Sequence, residues 1–227
     1  MKILDDIPVH LDVEQVLKVL RLNERKEQFD VVRRLVEIAD SVIQPKAIYE
    51  MSYVDNKNED TVDIGGIKFT SRVLRLNLDK VGKVFPYIIT IGKELEDRMA
   101  SLDNLLEQYY LDEIGNIAVG LIGNYLRKYL KREYRIGKIS SMYPGMGELQ
   151  DWPITQQEQL FSLFGNVEEL IGVKLTPSML MIPRKSESGI YFPTEVNFTS
   201  CQICSRERCK ERHAPYNKEL AESYRGK

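Results

Sequence analysis

The chain is poor in the residues that carry most nucleophilic and metal chemistry. Among 227 residues there are two histidines, three cysteines and one tryptophan. No Ser-His-Asp or Cys-His arrangement stands out, no glycine loop has phosphate-binding form, and no pair of carboxylates is marked for acid–base work. His10, ahead of the first expected helix, reads as structural or solvent-exposed. An excess of one charge is missing as well. With 32 basic and 34 acidic residues the formal net charge is −2, which removes any general reason to expect nucleic acid as a partner. No apolar run approaches the ~18 residues of a membrane helix. Met1 to Asp6 holds two acidic groups and no apolar core, so no signal peptide is expected and the expected location is cytoplasmic. The three cysteines all fall between Cys201 and Cys209. An odd count in one short segment argues against a secreted disulfide framework and for a metal, a redox role or free thiols.

What is present is ordinary globular material, 43% hydrophobic and 29% charged, with no internal repeat and no evident linker. Asp12 and Gln15 mark a first helix with Val13, Val16, Leu17 and Leu20 as its apolar stripe. The spacing of Phe29, Val32, Leu35, Val36 and Ala39 predicts a second helix over 24–42, stopped by Pro45. Residues 47–54 read as a strand, 55–60 as a polar loop, and 62–69 as a hairpin turning at Gly65-Gly66. Residues 84–91 read as a buried strand; Pro86 suggests that it lies at an edge or near a strand start. A long helix is predicted over 104–134. At ~45 Å a kink or break is expected in it, and Gly115, Gly120 and Gly123 suggest close packing of another element. Its basic end, Arg127, Lys128, Lys131 and Arg132, suits the negative end of the helix dipole, with a patch for an acidic partner as the other reading. Short strands are expected at 138–142, 178–182 and 189–192. Helices and strands alternate without a βαβ rhythm. The pattern predicts one α+β domain over 1–199, with a mainly antiparallel twisted sheet packed by long helices, and a cysteine-containing tail over 200–227.

The most informative stretch is 140–164. Pro144 fixes its own φ and holds Tyr143 extended, while Gly145 and Gly147 let backbone approach a ligand or another chain closely. Met146 lies between them. Thr155 and Glu158 read as a capping box for a helix whose apolar face is Leu160, Phe161 and Phe164. A rigid bend on a firmly started helix suits a small-molecule or partner contact, and a plain surface turn is the alternative. Trp152 reads equally as a ligand contact or as a core anchor.

The tail carries Cys201-x2-Cys204-x4-Cys209-x3-His213. Cys-x2-Cys can share one metal, and the third Cys with His213 would complete a four-ligand zinc site. The three thiolates equally suit an iron–sulfur cluster. A reduced, metal-free tail is the remaining reading.

Three stretches in order, Pro144-Gly145 with Trp152-Pro153, Gly172-Val-Lys-Leu-Thr-Pro-Ser178, and Pro183-Arg-Lys-Ser-Glu-Ser-Gly-Ile-Tyr-Phe192, carry a resemblance. Over about residues 10–200 the chain resembles the activation domain of cobalamin-dependent methionine synthase and stand-alone proteins built on it. The resemblance implies an accessory role in corrinoid methyl transfer: docking over the corrinoid of a partner protein and presenting S-adenosylmethionine, so that a reductant, supplied by a further protein, and methyl transfer restore methylcobalamin. The protein's share of that chemistry is positioning. It also implies a ligand loop of form Arg-x-x-Pro-Gly-Tyr. Here Ser141 stands at the Arg place and Met146 at the Tyr place, leaving Ser141, Tyr143, Pro144, Gly145, Met146, Gly147 and Trp152, with Ser188 and Gly189 of the later motif, as the implied contacts. A serine can donate a hydrogen bond but not a bidentate, charge-assisted pair; Lys138 and Arg135 are the nearby cations. Two other functions remain open on the residues: a docking module for a corrinoid protein that has no use for S-adenosylmethionine, and a small zinc or iron–sulfur protein acting through its tail.

Overall fold

A single strand organises the structure. The computed structural model describes residues 1–22, 26–148, 151–196, 198–209 and 212–226. In chain order the first elements are β1 (Lys2–Leu4), α1 (Val13–Val19), α2 (Lys26–Val42), β2 (Lys46–Tyr49), β3 (Ser52–Lys57), β4 (Thr61–Ile64) and β5 (Ile67–Thr70). Next come α3 (Arg72–Asn77), β6 (Lys83–Thr90), α4 (Glu94–Ala100), α5 (Leu105–Glu133) and β7 (Ile139–Met142). The last third holds α6 (Gln157–Ser162), α7 (Val167–Ile171), β8 (Lys174–Leu175), β9 (Met181–Ile182), β10 (Ser186–Pro193) and α8 (Lys218–Arg225). Eight of these strands form one antiparallel sheet with β6 at its centre; β8 and β9 pair separately. The α+β expectation holds.

β6 bonds β10 along one edge. Its other edge is shared: β2 takes Tyr87 to Thr90 and β3 takes Lys83 and Val84. The expected strand over 47–54 is thus two strands that break at residues 50–51. Pro86 is therefore central rather than at an edge or a strand start. Its carbonyl accepts from Glu50 N at 3.1 Å. A strand residue points its N–H and C=O to the same side, so the donor that proline lacks falls at the gap between β2 and β3 and costs no ladder bond.

Alternate residues of β6 supply opposite cores, which is why the strand reads as an unbroken apolar run. Phe85, Tyr87 and Ile89 face α1, α2 and α5. On the other side Val84 joins Ile190 and Phe192 over the β4–β5 hairpin and α3, and Ile88 packs with Phe161, Phe164 and Val167. Asp12 caps α1, accepting from Gln15 N at 2.9 Å. Glu24, the expected start of the second helix, lies outside the described residues. The hairpin turns at Gly65 and Gly66, both with positive φ (56° and 81°), as a two-residue turn of this kind requires.

α5 runs as one 29-residue helix without the expected break. Of its glycines, Gly115 has the close neighbour: a Cβ there would lie 3.1 Å from Lys185 Cε. The Lys185 stem crosses the helix at that point and delivers Nζ to Asn116 Oδ1 at 2.7 Å and Asp112 Oδ1 at 2.9 Å. Gly120 has nothing within 4 Å of that position. After β10 the chain returns to the sheet: Phe198, Ile203 and Ala221 are buried in the same core as Trp152. Among the described residues no helix is long and apolar enough to cross a membrane.

Candidate functional site

β7 pairs with the end of β10, setting Ser141 opposite Tyr191. The chain then leaves the sheet through Tyr143 into the Pro-Gly-Met-Gly bend. Gly145 N donates to Trp152 O at 2.7 Å, and Met146 N to Tyr143 O at 3.2 Å. The Met146 sulfur turns inward and accepts from Tyr143 N at 3.1 Å. Pro144 and Met146 are buried, whereas Tyr143 and Gly145 are exposed. The bend therefore shows its outer rim to solvent and plants alternate residues in the core.

Its inner side is pinned by one carboxylate. Asp151, 2% exposed, accepts from Glu148 N at 2.9 Å and takes a two-pronged contact from Arg225, Nε to Oδ1 at 2.9 Å and Nη2 to Oδ2 at 2.8 Å. Its backbone carbonyl receives Ser71 Oγ at 2.5 Å. Gly147 has φ 74°, and a Cβ there would sit 2.5 Å from Asp151 Oδ2; only glycine fits both the turn and the carboxylate. Trp152 is fully buried and meets Phe69 edge-on at 6.0 Å. Its burial is that of a core residue.

The helix after the bend starts differently from the expected Thr155–Glu158 box. A 3₁₀ turn over Ile154–Gln156 places Thr155 inside the turn, and α6 begins without a side-chain cap. Gln156 takes the anchoring role, accepting from Thr70 N at 2.8 Å and donating to Thr70 O. Ser188 is also interior, 3% exposed, and accepts from Gln157 Nε2 at 2.6 Å. Gly189 sits so close to its neighbours that a Cβ would lie 2.7 Å from Met142 O and 3.1 Å from Tyr87 Oη. Ser188 and Gly189 thus support the bend from within the sheet.

A polar patch that sequence reasoning missed lies on the α5 side of β7 and β10. Tyr87 and Tyr191 stack at 4.3 Å between centroids. Tyr87 Oη donates to Glu187 Oε1 at 2.5 Å, and Tyr191 Oη to Gly123 O at 3.2 Å. From α5, Arg127 lies over the Tyr191 ring, 5.5 Å from its centroid, with Nη2 3.5 Å from Ser141 Oγ. Burial pushes the Tyr191 hydroxyl up to about 12, with Glu187 adding to the shift. Burial likewise raises the Glu187 carboxyl above its ordinary 4.5, against the lowering effects of the Tyr87 hydrogen bond and Arg127. The sequence signal was the Arg at 127, whose place in a basic helix end hid it, and the lone acid within Ser-Glu-Ser-Gly.

The raised Glu187 has a thermodynamic sign. A carboxyl whose folded pKa exceeds its unfolded value adds stability below the unfolded value, and that contribution is lost as pH rises through the folded value. At neutral pH the charged Glu187 therefore costs stability. Glu187→Gln, which keeps an acceptor for Tyr87, is expected to melt higher than the parent at pH 7–8, with the difference vanishing below about pH 4. Thermal melts across pH check this; equal melting at pH 7.5 would contradict it.

The three tail cysteines lie close enough to the bend to act on Tyr143. Cys201, Cys204 and Cys209 are free and half-buried, and all three, together with Glu187 and after burial itself, help to raise the Tyr143 hydroxyl above its ordinary range. Arg212 ties the segment together through the carbonyls of Cys201, Cys204, Arg206 and Ala214. The amide N of His213 donates to Cys201 Sγ at 3.4 Å. Among the described residues no group of three or more His, Cys, Asp or Glu side chains is arranged to hold a metal ion.

No family model and no curated protein sequence matches the chain. Its fold is that of a solved domain: the crystal structure of the MetH reactivation domain bound to AdoHcy matches with a TM-score of 0.55 at 16% identity, covering 89% of this chain and 82% of that one. The likeness establishes the architecture, a mixed helix-and-sheet domain of reactivation-domain type.

Proposed function

We propose that this protein is an accessory of corrinoid-dependent methyl transfer, binding an S-adenosyl ligand beside the bend at 143–147 and offering it to the cobalamin of a partner protein. The observation that carries the reading is the shared fold over 89% of the chain with a domain solved with AdoHcy, combined with a bend at the expected place whose rim, Tyr143 and Gly145, is exposed. The residues fit the ligand's chemistry. Opposite charges at Arg127 and Glu187 stand on one patch, and Tyr143 offers an aromatic face next to it. The ligand supplies the methyl group, and a reductant protein would supply the electron. This chain's residues bind and orient, and the tight interior bonding of the bend keeps that orientation fixed. Ser141, Pro144, Met146 and Gly147 shape the bend in this reading, with Tyr143 and Gly145 on its open side.

Calorimetric titration of the full chain with S-adenosylmethionine is expected to give saturable heat with a Kd below about 1 mM. Absence of heat up to millimolar ligand would remove the reading. A second reading, a corrinoid-docking module without use for the sulfonium, is favoured by the short Ser141 side chain; it predicts complex formation with a corrinoid protein and no ligand heat.

A further inference from the structure

Cys201 and Cys204 stand on one turn whose backbone is tied down at each carbonyl. The 3₁₀ turn over Ser200–Gln202 continues one step further, because Ile203 N donates to Ser200 O at 3.1 Å and Cys204 N to Cys201 O at 3.4 Å. Side chains three residues apart on such a turn eclipse one another, and at ~2.0 Å rise per residue their Cα atoms lie about 6 Å apart. That is inside the Cα separation of about 4.4–6.8 Å that a disulfide spans. Both cysteines are half-buried, whereas Ile203 between them is 1% exposed and faces the core.

The segment that follows fixes this spacing. Arg212 donates from Nη1 to Cys201 O at 3.1 Å and from Nη2 to Cys204 O at 3.3 Å, so one planar group sets both residues. Gln202 O accepts from Asn217 N at 2.7 Å, and Ile203 O from Arg225 Nη2 at 2.7 Å. The carbonyls of Cys201, Gln202, Ile203 and Cys204 are thus all held from later in the chain. A Cys-x2-Cys in a loose tail would have to find its closed geometry, and this one has it in advance. The pair lies beside the exposed rim of the bend, near enough for its sulfurs to act on Tyr143.

We propose that Cys201 and Cys204 are a reversible dithiol–disulfide pair whose oxidant is a small-molecule disulfide of the glutathione type, with Cys209 outside the pair. One cysteine, as thiolate, attacks a sulfur of the small disulfide; that S–S bond breaks, and one small thiol leaves with a proton. The second cysteine attacks the protein sulfur of the mixed disulfide, the Cys201–Cys204 bond forms, and the second small thiol leaves with the second proton. Two electrons pass from the protein to the small disulfide, and excess small thiol runs the steps in reverse. The pair stands independently of the S-adenosyl reading.

The test equilibrates the full chain with mixtures of reduced and oxidised glutathione, quenches with acid, alkylates the remaining thiols and reads intact and peptide masses. The parent and Cys209→Ser are each expected to form one internal bond, within the peptide that holds Cys201 and Cys204. Adding Cys201→Ser or Cys204→Ser to Cys209→Ser is expected to leave one glutathione on the remaining cysteine. At fixed reduced glutathione, closure in the folded chain is expected at an oxidised glutathione concentration about 10-fold or more below that needed by the chain unfolded in guanidinium chloride, since the turn is prearranged. Equal requirements in the folded and unfolded chains would overturn the proposal. A bond that includes Cys209, or three thiols that stay free in fully oxidised glutathione, would overturn it as well. So would zinc or iron retained stoichiometrically by protein purified anaerobically, with the pair shielded from alkylation, which would assign these sulfurs to a metal.

Discussion

Asp151→Ala is expected to destabilise the protein by about 3 kcal/mol, the low end of the range for breaking a buried ion pair, because Arg225 keeps its contact with Glu148. The carboxylate side chain is 1% exposed and that of Arg225 17%, so solvent screens the contact little. The loss is compounded because the same carboxylate serves three elements. It caps Glu148 N, holds Arg225, and leaves its residue's carbonyl in place for Ser71. Arg225 also grips Ile203 O at 2.7 Å and Glu148 Oε1 at 3.3 Å, so its release loosens the segment after 200. Chemical denaturation of the parent and the variant measures the change. A loss under about 1 kcal/mol, the worth of an exposed ion pair, would show that the contact is no more than a surface one.

Trp152→Ala is expected to cost a similar amount, about 3–5 kcal/mol, as large-to-small changes at fully buried aromatics do. The indole fills the space between Phe69 on the hairpin and the bend whose Gly145 N it receives through its own carbonyl. Trp152→Phe is expected to cost less, because the shape is partly kept and the indole N–H has no hydrogen-bond partner to lose among the described residues. If Trp152→Ala melted like the parent while ligand binding vanished, the residue would be a ligand contact and its placement as a core anchor would be wrong.

Features that depend on neighbours in sequence were legible. The Gly65-Gly66 turn, the Asp12 cap, the apolar run of β6 and the extent of α5 each follow from local chemistry, and the structure has them. The bend at 143–147 was legible as a bend for the same reason. What it is attached to was not. Asp151 finds Arg225 from 74 residues away, and neither residue carries a pattern that names the other. Lys138 and Arg135 were the cations near Ser141 in sequence, yet the one that reaches it is Arg127, because α5 packs on β10, the strand that sets Tyr191 opposite Ser141. Pro86 was misplaced because one residue type marks both a true edge and a gap between two partners on an inner strand. Thr155 and Glu158 had the spacing of a capping box, and a 3₁₀ turn that pairs Gln156 with Thr70 took precedence over it.

The pin between Asp151 and Arg225 bears on the order of assembly. The bend at 143–147 has its sequence, its β7 neighbour and its glycines long before the helix that carries Arg225 is made, and it cannot be locked until that helix docks. Nearly eighty residues separate the bend from its fastener. On a ribosome, where chains emerge from the N-terminus, the bend is thus fastened after the sheet that supports it, and a nascent chain that has not yet made α8 would carry it as an unfastened loop.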